Sequence, residues 1–317
     1  MAMGLAQRGL VWRSCMAMSR KYYLAAVLVF KDEAQYLKEW LDYHILIGFQ
    51  HFYLYDNNSD DNPKGILKWY IENGIVTYRV LDTVFGKKPL CAPHRMEAIT
   101  TYGPECEWMS FTDTDEFFIT KNLKNNMHNI LKRYEGYSAI EVRRADFGSN
   151  FLKKHEQALV IERFFRRARR SLRRPKVLAR PEHIVGVVNA HKVIVKDDVK
   201  HPYSINVRKE NLNKMGHWWR EPPEISKDLF RINHYGCKSK EEFLYRSKYR
   251  DGKKASLKEF DGKCLTKFNQ IIDKQIDFFV KYVQNNFVQL NYEKINQYYK
   301  SSSDFNLKSF LIGIESE

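Results

Sequence analysis

The chain has no long apolar run. A membrane-spanning helix needs roughly 18 to 20 consecutive apolar residues, and the apolar stretch Leu24–Phe30 is seven long and meets Lys31-Asp32-Glu33 at once. That stretch also lacks a small-residue cleavage site, so it reads as a buried strand and not as a signal segment. Cysteine is scarce. The five cysteines, Cys15, Cys91, Cys106, Cys237 and Cys264, are odd in number, widely spaced and never arranged Cys-x-x-Cys. Such usage argues against a disulfide framework and against a zinc knot, and it favours a reducing compartment. Internal repeats and low-complexity tracts are missing as well, which excludes solenoid architectures.

What is present is a folding composition: 317 residues, 44% hydrophobic and 14% aromatic. A chain of this size buries a large core, and one principal domain with an appendage is expected. The net charge is +15, from 53 basic and 38 acidic residues. That balance points to a polyanionic neighbour, whether nucleic acid, anionic lipid or a phosphorylated ligand. Residues 1–20 are basic, irregular and Met-rich. They read as a targeting segment or as an over-extended start with Met16 or Met18 the true beginning. The second is preferred, because organised patterning begins at Lys21.

From there strands alternate with helices. Tyr22 to Phe30 reads as a strand, and Asp32 opens a helix whose apolar residues (Ala34, Leu37, Trp40, Leu41, Ile45) recur at three and four until Gly48. His51 to Tyr55 is a second strand, Ile66 to Ile71 a helix, Ile75 to Leu81 a third strand, Arg95 to Tyr102 a helix and Trp108 to Thr112 a fourth strand. Short crossovers of this kind predict an α/β fold, a mostly parallel sheet with helices on both faces. Further strands are expected at Ala139 to Val142, Lys192 to Val195 and Leu229 to Asn233. The predicted division is residues 1–20 as an extension, 21–240 as the main domain and 241–317 as a helical C-terminal region, with Phe268, Ile271, Ile272, Ile276, Phe279, Val280 and Val283 forming an apolar stripe at helical spacing.

Polar clusters sit at the strand ends. Lys31-Asp32-Glu33, Asp56-Asn57-Asn58-Ser59-Asp60 and Asp113-Thr114-Asp115 each follow a strand directly. In open parallel sheets ligands bind beyond the strands' carboxyl ends. An unpaired buried carboxylate is costly, and two acids spaced i, i+2 can turn their oxygens toward one hard cation. A polar turn with Asp113 as a cap is the plainer reading of the last cluster.

The order of these motifs resembles glycosyltransferase family 92 and its bacterial relatives in the family-2-like group. The resemblance rests on Lys31-Asp32-Glu33-Ala34 with Leu37, Trp40, Tyr43, His44 and Gly48, then on Tyr55-Asp56-Asn57-x-Ser59-x-Asp61 and Asp113-Thr114-Asp115-Glu116-Phe117. It continues through Phe147-Gly148-Ser149-Asn150, Glu162-Arg163-Phe164 and Asn233-His234-Tyr235-x-x-Lys238-Ser239-x-x-Glu242-Phe243, covering about residues 20–250. The family often has Asn where Asp32 stands and Gly where Phe151 stands.

The resemblance implies a GT-A (Rossmann-like) fold and metal-dependent, inverting transfer of a sugar from a nucleotide-sugar donor, UDP-linked, to a glycan, lipid-linked saccharide or glycoprotein. On that basis Lys31, Glu33, Asp56, Asn57, Arg95, Asp113 and Lys238 are the candidate donor contacts, and Asp113, Asp115 and His234 the candidate ligands of Mn²⁺ or Mg²⁺, with His191 a rival for the imidazole. Asp146 and Glu162 are the candidate general bases, since an inverting transfer needs a carboxylate to take the acceptor's proton. The cysteine usage leads to the expectation of a cytoplasmic protein, peripheral to the membrane if the basic run touches it.

The run Arg163, Arg166, Arg167, Arg169, Arg170, Arg173 and Arg174 is a solvated face or a contact for anionic membrane. A nucleic-acid-binding protein using residues 163–176 is the alternative of another class, and thin aromatic interleaving speaks against it. A nucleotidyltransferase on the same fold is the alternative reaction.

Overall fold

The computed structural model describes residues 20–81, 91–169, 175–189, 191–196, 229–249, 257–301 and 306–316. The expectations for residues 1–19 and for Arg170, Arg173 and Arg174 lie outside the described residues. The chain runs β1 (Tyr22–Phe30), α1 (Ala34–Leu46), β2 (His51–Asp56), α2 (Pro63–Glu72), β3 (Val76–Val80), α3 (Cys91–Tyr102), β4 (Cys106–Phe111), β5 (Glu116–Thr120), α4 (Met127–Lys132), β6 (Ala139–Val142) and β7 (Arg144–Asp146). It continues with α5 (Val160–Arg163), β8 (Arg166–Arg167), β9 (Lys176–Ala179), β10 (Ile184–Asn189), β11 (Lys192–Val195), β12 (Phe230–His234) and α6 (Lys240–Tyr249). A π-helical segment (Phe260–Lys267), β13 (Ile271–Ile272), a 3₁₀ turn (Gln275–Phe279) and α7 (Val280–Val283), α8 (Phe287–Leu290), α9 (Tyr292–Ser301) and α10 (Leu307–Glu315) follow.

Two sheets matter for the site. The larger has the order β3-β2-β1-β4-β9-β6, with β3, β2, β1 and β4 parallel and β9 antiparallel to both its neighbours. The α/β architecture expected from the alternation is therefore present. Strand β1 is apolar on both faces because both are covered. Leu24, Ala26 and Leu28 pack with Trp40 and Leu41 of α1, while Ala25, Val27 and Val29 pack with Ala98 and Ile99 of α3. The smaller sheet, β5-β12-β7, pairs segments more than eighty residues apart, β12 antiparallel to β5 and parallel to β7.

Helix α1 starts at Ala34, and its first free N–H is met by Asp61 Oδ2 at 2.7 Å, from the loop after β2. Asp32, expected to open the helix, instead holds a left-handed φ of 51°. The C-terminal region shares the main core with α1: Tyr282, Tyr299 and Leu311 belong to the same cluster as Trp40.

Two expectations are corrected. The apolar stripe from Phe268 to Val283 is not one helix. Ile271 and Ile272 form β13, paired antiparallel with Arg167 and Arg166 of β8, and Ile272 is exposed. Long-range pairing overrode a local period. Cys237 and Cys264 form a disulfide, with Cα atoms 5.6 Å apart and both residues buried. Their separation of 27 residues matches no spacing signal, and the bond removes the ground for expecting a reducing compartment. Among the described residues no helix is long and apolar enough to cross a membrane.

Candidate active site

Strands β1, β2 and β4 end side by side: Phe30 is level with Asp56, and Val27 with Phe111. The three polar clusters of the sequence therefore meet along one edge. The first two are laced together by the backbone. Lys31 Nζ donates to the Asn58 carbonyl at 2.5 Å, Asp32 N–H to Ser59 Oγ at 2.9 Å and Asp60 N–H to Asp32 Oδ1 at 2.9 Å. Asp56 is occupied at both oxygens. Oδ1 accepts from Ser59 N and Oγ (2.8 and 2.6 Å) and Oδ2 from Tyr78 Oη at 2.6 Å. Lys31 and Asp56 thus shape the loop, and a ligand hydroxyl could only share them.

Two expected donor contacts are buried polar groups short of partners. Among the described residues neither side-chain atom of Asn57 has a hydrogen bond, although the residue is 1% exposed. No guanidinium nitrogen of Arg95 has one among them either, and its ion pair is with Asp113 at 3.6 Å.

The third cluster forms a tight turn, with Asp113 N–H donating to Glu116 Oε2 at 3.1 Å. Here Lys176 enters, a residue no sequence argument singled out. Fully buried on β9, it reaches Asp113 at 2.7 Å and Glu116 at 2.9 Å. Burial opposes ionisation of Asp113, but Lys176 and Arg95 outweigh it and hold its pKa well below the usual carboxylate range. Burial likewise disfavours charge on Lys176, and Asp113 and Glu116 more than restore it. Asp113 is therefore neutralised from inside the protein.

Asp115 faces different company. Its Oδ2 lies 3.6 Å from His234 Nε2 and 3.3 Å from Arg246 Nη1, an arginine on α6 also unforeseen from sequence. Burial works against the ionised form, while His234 and Arg246 hold the pKa below its ordinary value. Donor atoms of Asp115, Glu116 and His234 all lie within 4.8 Å of one another. Neither Asp113 nor His191 belongs to this group; His191 Nδ1 donates to the Pro175 carbonyl at 2.9 Å. Gly236 makes room for the imidazole, since a Cβ there would stand 2.4 Å from the His234 ring. Two carboxylates and an imidazole at this spacing could hold a divalent cation. Glu116 is already gripped by Lys176 and by Arg144 (3.4 Å), which leaves Asp115 and His234 as the freer ligands.

Lys238 holds a left-handed φ of 53° and buries its ammonium over the Tyr36 ring, 3.7 Å from Glu33. Burial pushes its pKa down to about 7, against the pull of Asp115. Glu33, Lys238 and Arg246 line one cavity of about 250 Å³ together with Glu241, Glu242 and Tyr245. A second of about 370 Å³, lined by Gln157, Gln284 and Asn285, shares Gln35, Tyr36 and His155 with the first.

Neither residue expected as general base lines these cavities. Asp146 is buried, bonded to His234 Nδ1 at 2.8 Å and to Arg144 at 3.2 Å. Glu162 is exposed on α5 and accepts from Gln284 at 3.3 Å, away from the acidic turn.

An α/β sheet with acids and buried cations at its carboxyl edge, and a histidine on the neighbouring small sheet within reach of those acids, is the frame of the candidate site. The chain belongs to glycosyltransferase family 92, whose model matches residues 25–300. A family 92 protein of Oryza sativa subsp. japonica is 27% identical over 223 residues, 68% of this chain and 33% of the relative. One of Arabidopsis thaliana is 26% identical over 198 residues, 57% of this chain and 33% of the relative. The matched part is thus about a third of these plant proteins' length. Among solved structures, Staphylococcus aureus TarS in complex with UDP aligns over 50% of this chain and 47% of its own, at 13% identity and a TM-score of 0.35.

Proposed function

We propose that this chain transfers a sugar from a UDP-linked donor to a saccharide acceptor with inversion at the anomeric carbon. The observation that carries the reading is the cluster of Asp115, Glu116 and His234, next to the turn residue Asp113 that pairs with Arg95. Family membership supports it, and so does the naming of UDP as the ligand of TarS. Asp115 and His234 would hold Mn²⁺ or Mg²⁺. When bound, the ion supplies positive charge to a diphosphate leaving group. The protein's own part is to place Arg95, Lys238 and Arg246 around the same negative charge, in a site where fixed charges act more strongly than in water. The second cavity, where Gln157, Gln284 and Asn285 stand among charged residues such as Lys38 and Glu156, offers donors and acceptors for the hydroxyls of a saccharide acceptor. Of the carboxylates that line the first cavity, Asp32, Glu33 and Glu241 are the candidates for taking the acceptor's proton, Glu242 being held by Arg163.

The nucleic-acid reading loses its premise. Arg163 is buried in a two-bond pair with Glu242, Arg167 pairs with Asp273, and Arg166 lies over Phe151, so the described part of the run is not one open basic face. The test is a thermal-shift screen of nucleotide sugars with and without Mn²⁺. A donor at 100 times its dissociation constant stabilises by about 2.7 kcal/mol. That shift should require Mn²⁺ and vanish in Asp115→Ala. The released product should be a nucleoside diphosphate; pyrophosphate would mean nucleotidyl transfer, and no shift with any donor would defeat the assignment.

A further inference from the structure

The smaller sheet puts three functional side chains in one row. In its register His234 is level with Glu116 on one side and with Asp146 on the other. Asp146 Oδ1 lies 2.8 Å from His234 Nδ1, and the ring's other nitrogen, Nε2, lies 3.6 Å from Asp115. Arg144, two residues before Asp146 on the same strand, bridges Asp146 Oδ1 at 3.2 Å and Glu116 Oε1 at 3.4 Å.

An ionised carboxylate can only accept a hydrogen bond. The bond at 2.8 Å therefore places the proton of a neutral His234 on Nδ1 and the lone pair on Nε2, toward Asp115. A histidine held this way is both fixed in rotation and more basic at its free nitrogen. Asp146 itself is about 1% exposed and lines neither of the two cavities, and its Oδ1 is already shared by His234 and Arg144.

We propose that Asp146, steadied by Arg144, is a positioning residue that sets the tautomer and aim of His234 for a divalent cation shared with Asp115. The inference rests on the metal reading of the site above. It takes Asp146 out of the role of general base.

The test uses the full chain with Mn²⁺ alone as the probe, in wild type, Asp146→Ala and Asp146→Asn. Nitrogen-15 NMR of the histidine rings, without metal and at a pH where they are neutral, should show the Nδ1–H tautomer for His234 in wild type. The ring should shift toward Nε2–H in Asp146→Ala, while Asp146→Asn, which keeps an acceptor oxygen, stays nearer wild type. Titration with Mn²⁺ should show a 10- to 100-fold loss of affinity in Asp146→Ala, and excess Mn²⁺ should restore turnover. A wild-type Nε2–H tautomer, an unchanged Mn²⁺ affinity in Asp146→Ala, or a turnover defect that saturating Mn²⁺ leaves in place would each overturn the proposal alone. A wild type that binds no Mn²⁺ would overturn the metal reading and the proposal with it.

Discussion

At the scale of single residues, Lys176 shows how this site carries its charge. Its ammonium is the internal counter-ion of Asp113 and Glu116, and removing one partner of a buried pair strands the other. Lys176→Met should cost about 3 kcal/mol in denaturant unfolding, the low end for such a change because the Asp113 side chain is nearly half open to water. Adding Glu116→Gln should return part of that loss, and strict additivity of the two substitutions would show that the pairing is not energetically coupled. Nothing in the sequence distinguishes Lys176 from its basic neighbours. Its role comes from β9 lying against β4, a pairing between positions about seventy apart. Arg144 and Arg246 were illegible for the same reason. Asp115 and His234 were legible because their motifs arrive in a recognisable order.

At the scale of elements, β1, β2, β3, β4, β6, β11 and β12 could be read from their runs of apolar residues, and the polar clusters at the ends of β1, β2 and β4 followed. Strand β5 starts directly after the acidic turn and β7 has only three residues, so neither stands out as a separate strand. Helix α1 is tied to the start of α5 by a carboxylate that faces inward. Glu39 accepts the Val160 and Ile161 N–H groups at 2.8 and 2.9 Å while fully buried, and burial raises its pKa to about 7 despite those bonds. The folded state therefore holds a proton that the unfolded chain releases near pH 4.5. Stability from this group is complete below that pH and drains away as pH climbs through about 7. Chemical unfolding at pH 5 and pH 7.5 should show wild type losing more stability over the interval than Glu39→Gln; equal slopes would mean Glu39 is ionised throughout.

At the scale of the whole molecule, the formal excess of +15 is not all surface charge. Arg95, Arg144, Arg163, Lys176 and Lys238 are all buried, each within 4 Å of a carboxylate. These five of the 53 basic residues hold acids in place, and being paired they offset those acids and do not add to the excess. The Cys237–Cys264 bond belongs to this scale too, since it ties the segment after β12 to the C-terminal region directly beside Lys238. Closing a loop of 27 residues is worth about 3.5 kcal/mol in the chain-entropy view. Cys264→Ala should lower the unfolding free energy by about that much and weaken donor binding. A variant as stable as wild type, or a wild type indifferent to reductant, would show that the bond does not contribute.

The row Glu116–His234–Asp146 exists only through strand register. Strand faces alternate with every residue, so deleting one amino acid within β12 would put the residues on one side of the deletion onto the opposite face and take His234 out of register with Glu116 and Asp146. In this chain a frame error of a single position would abolish chemistry and folding together, and single-residue deletions in β12 should yield no inactive yet well-folded protein.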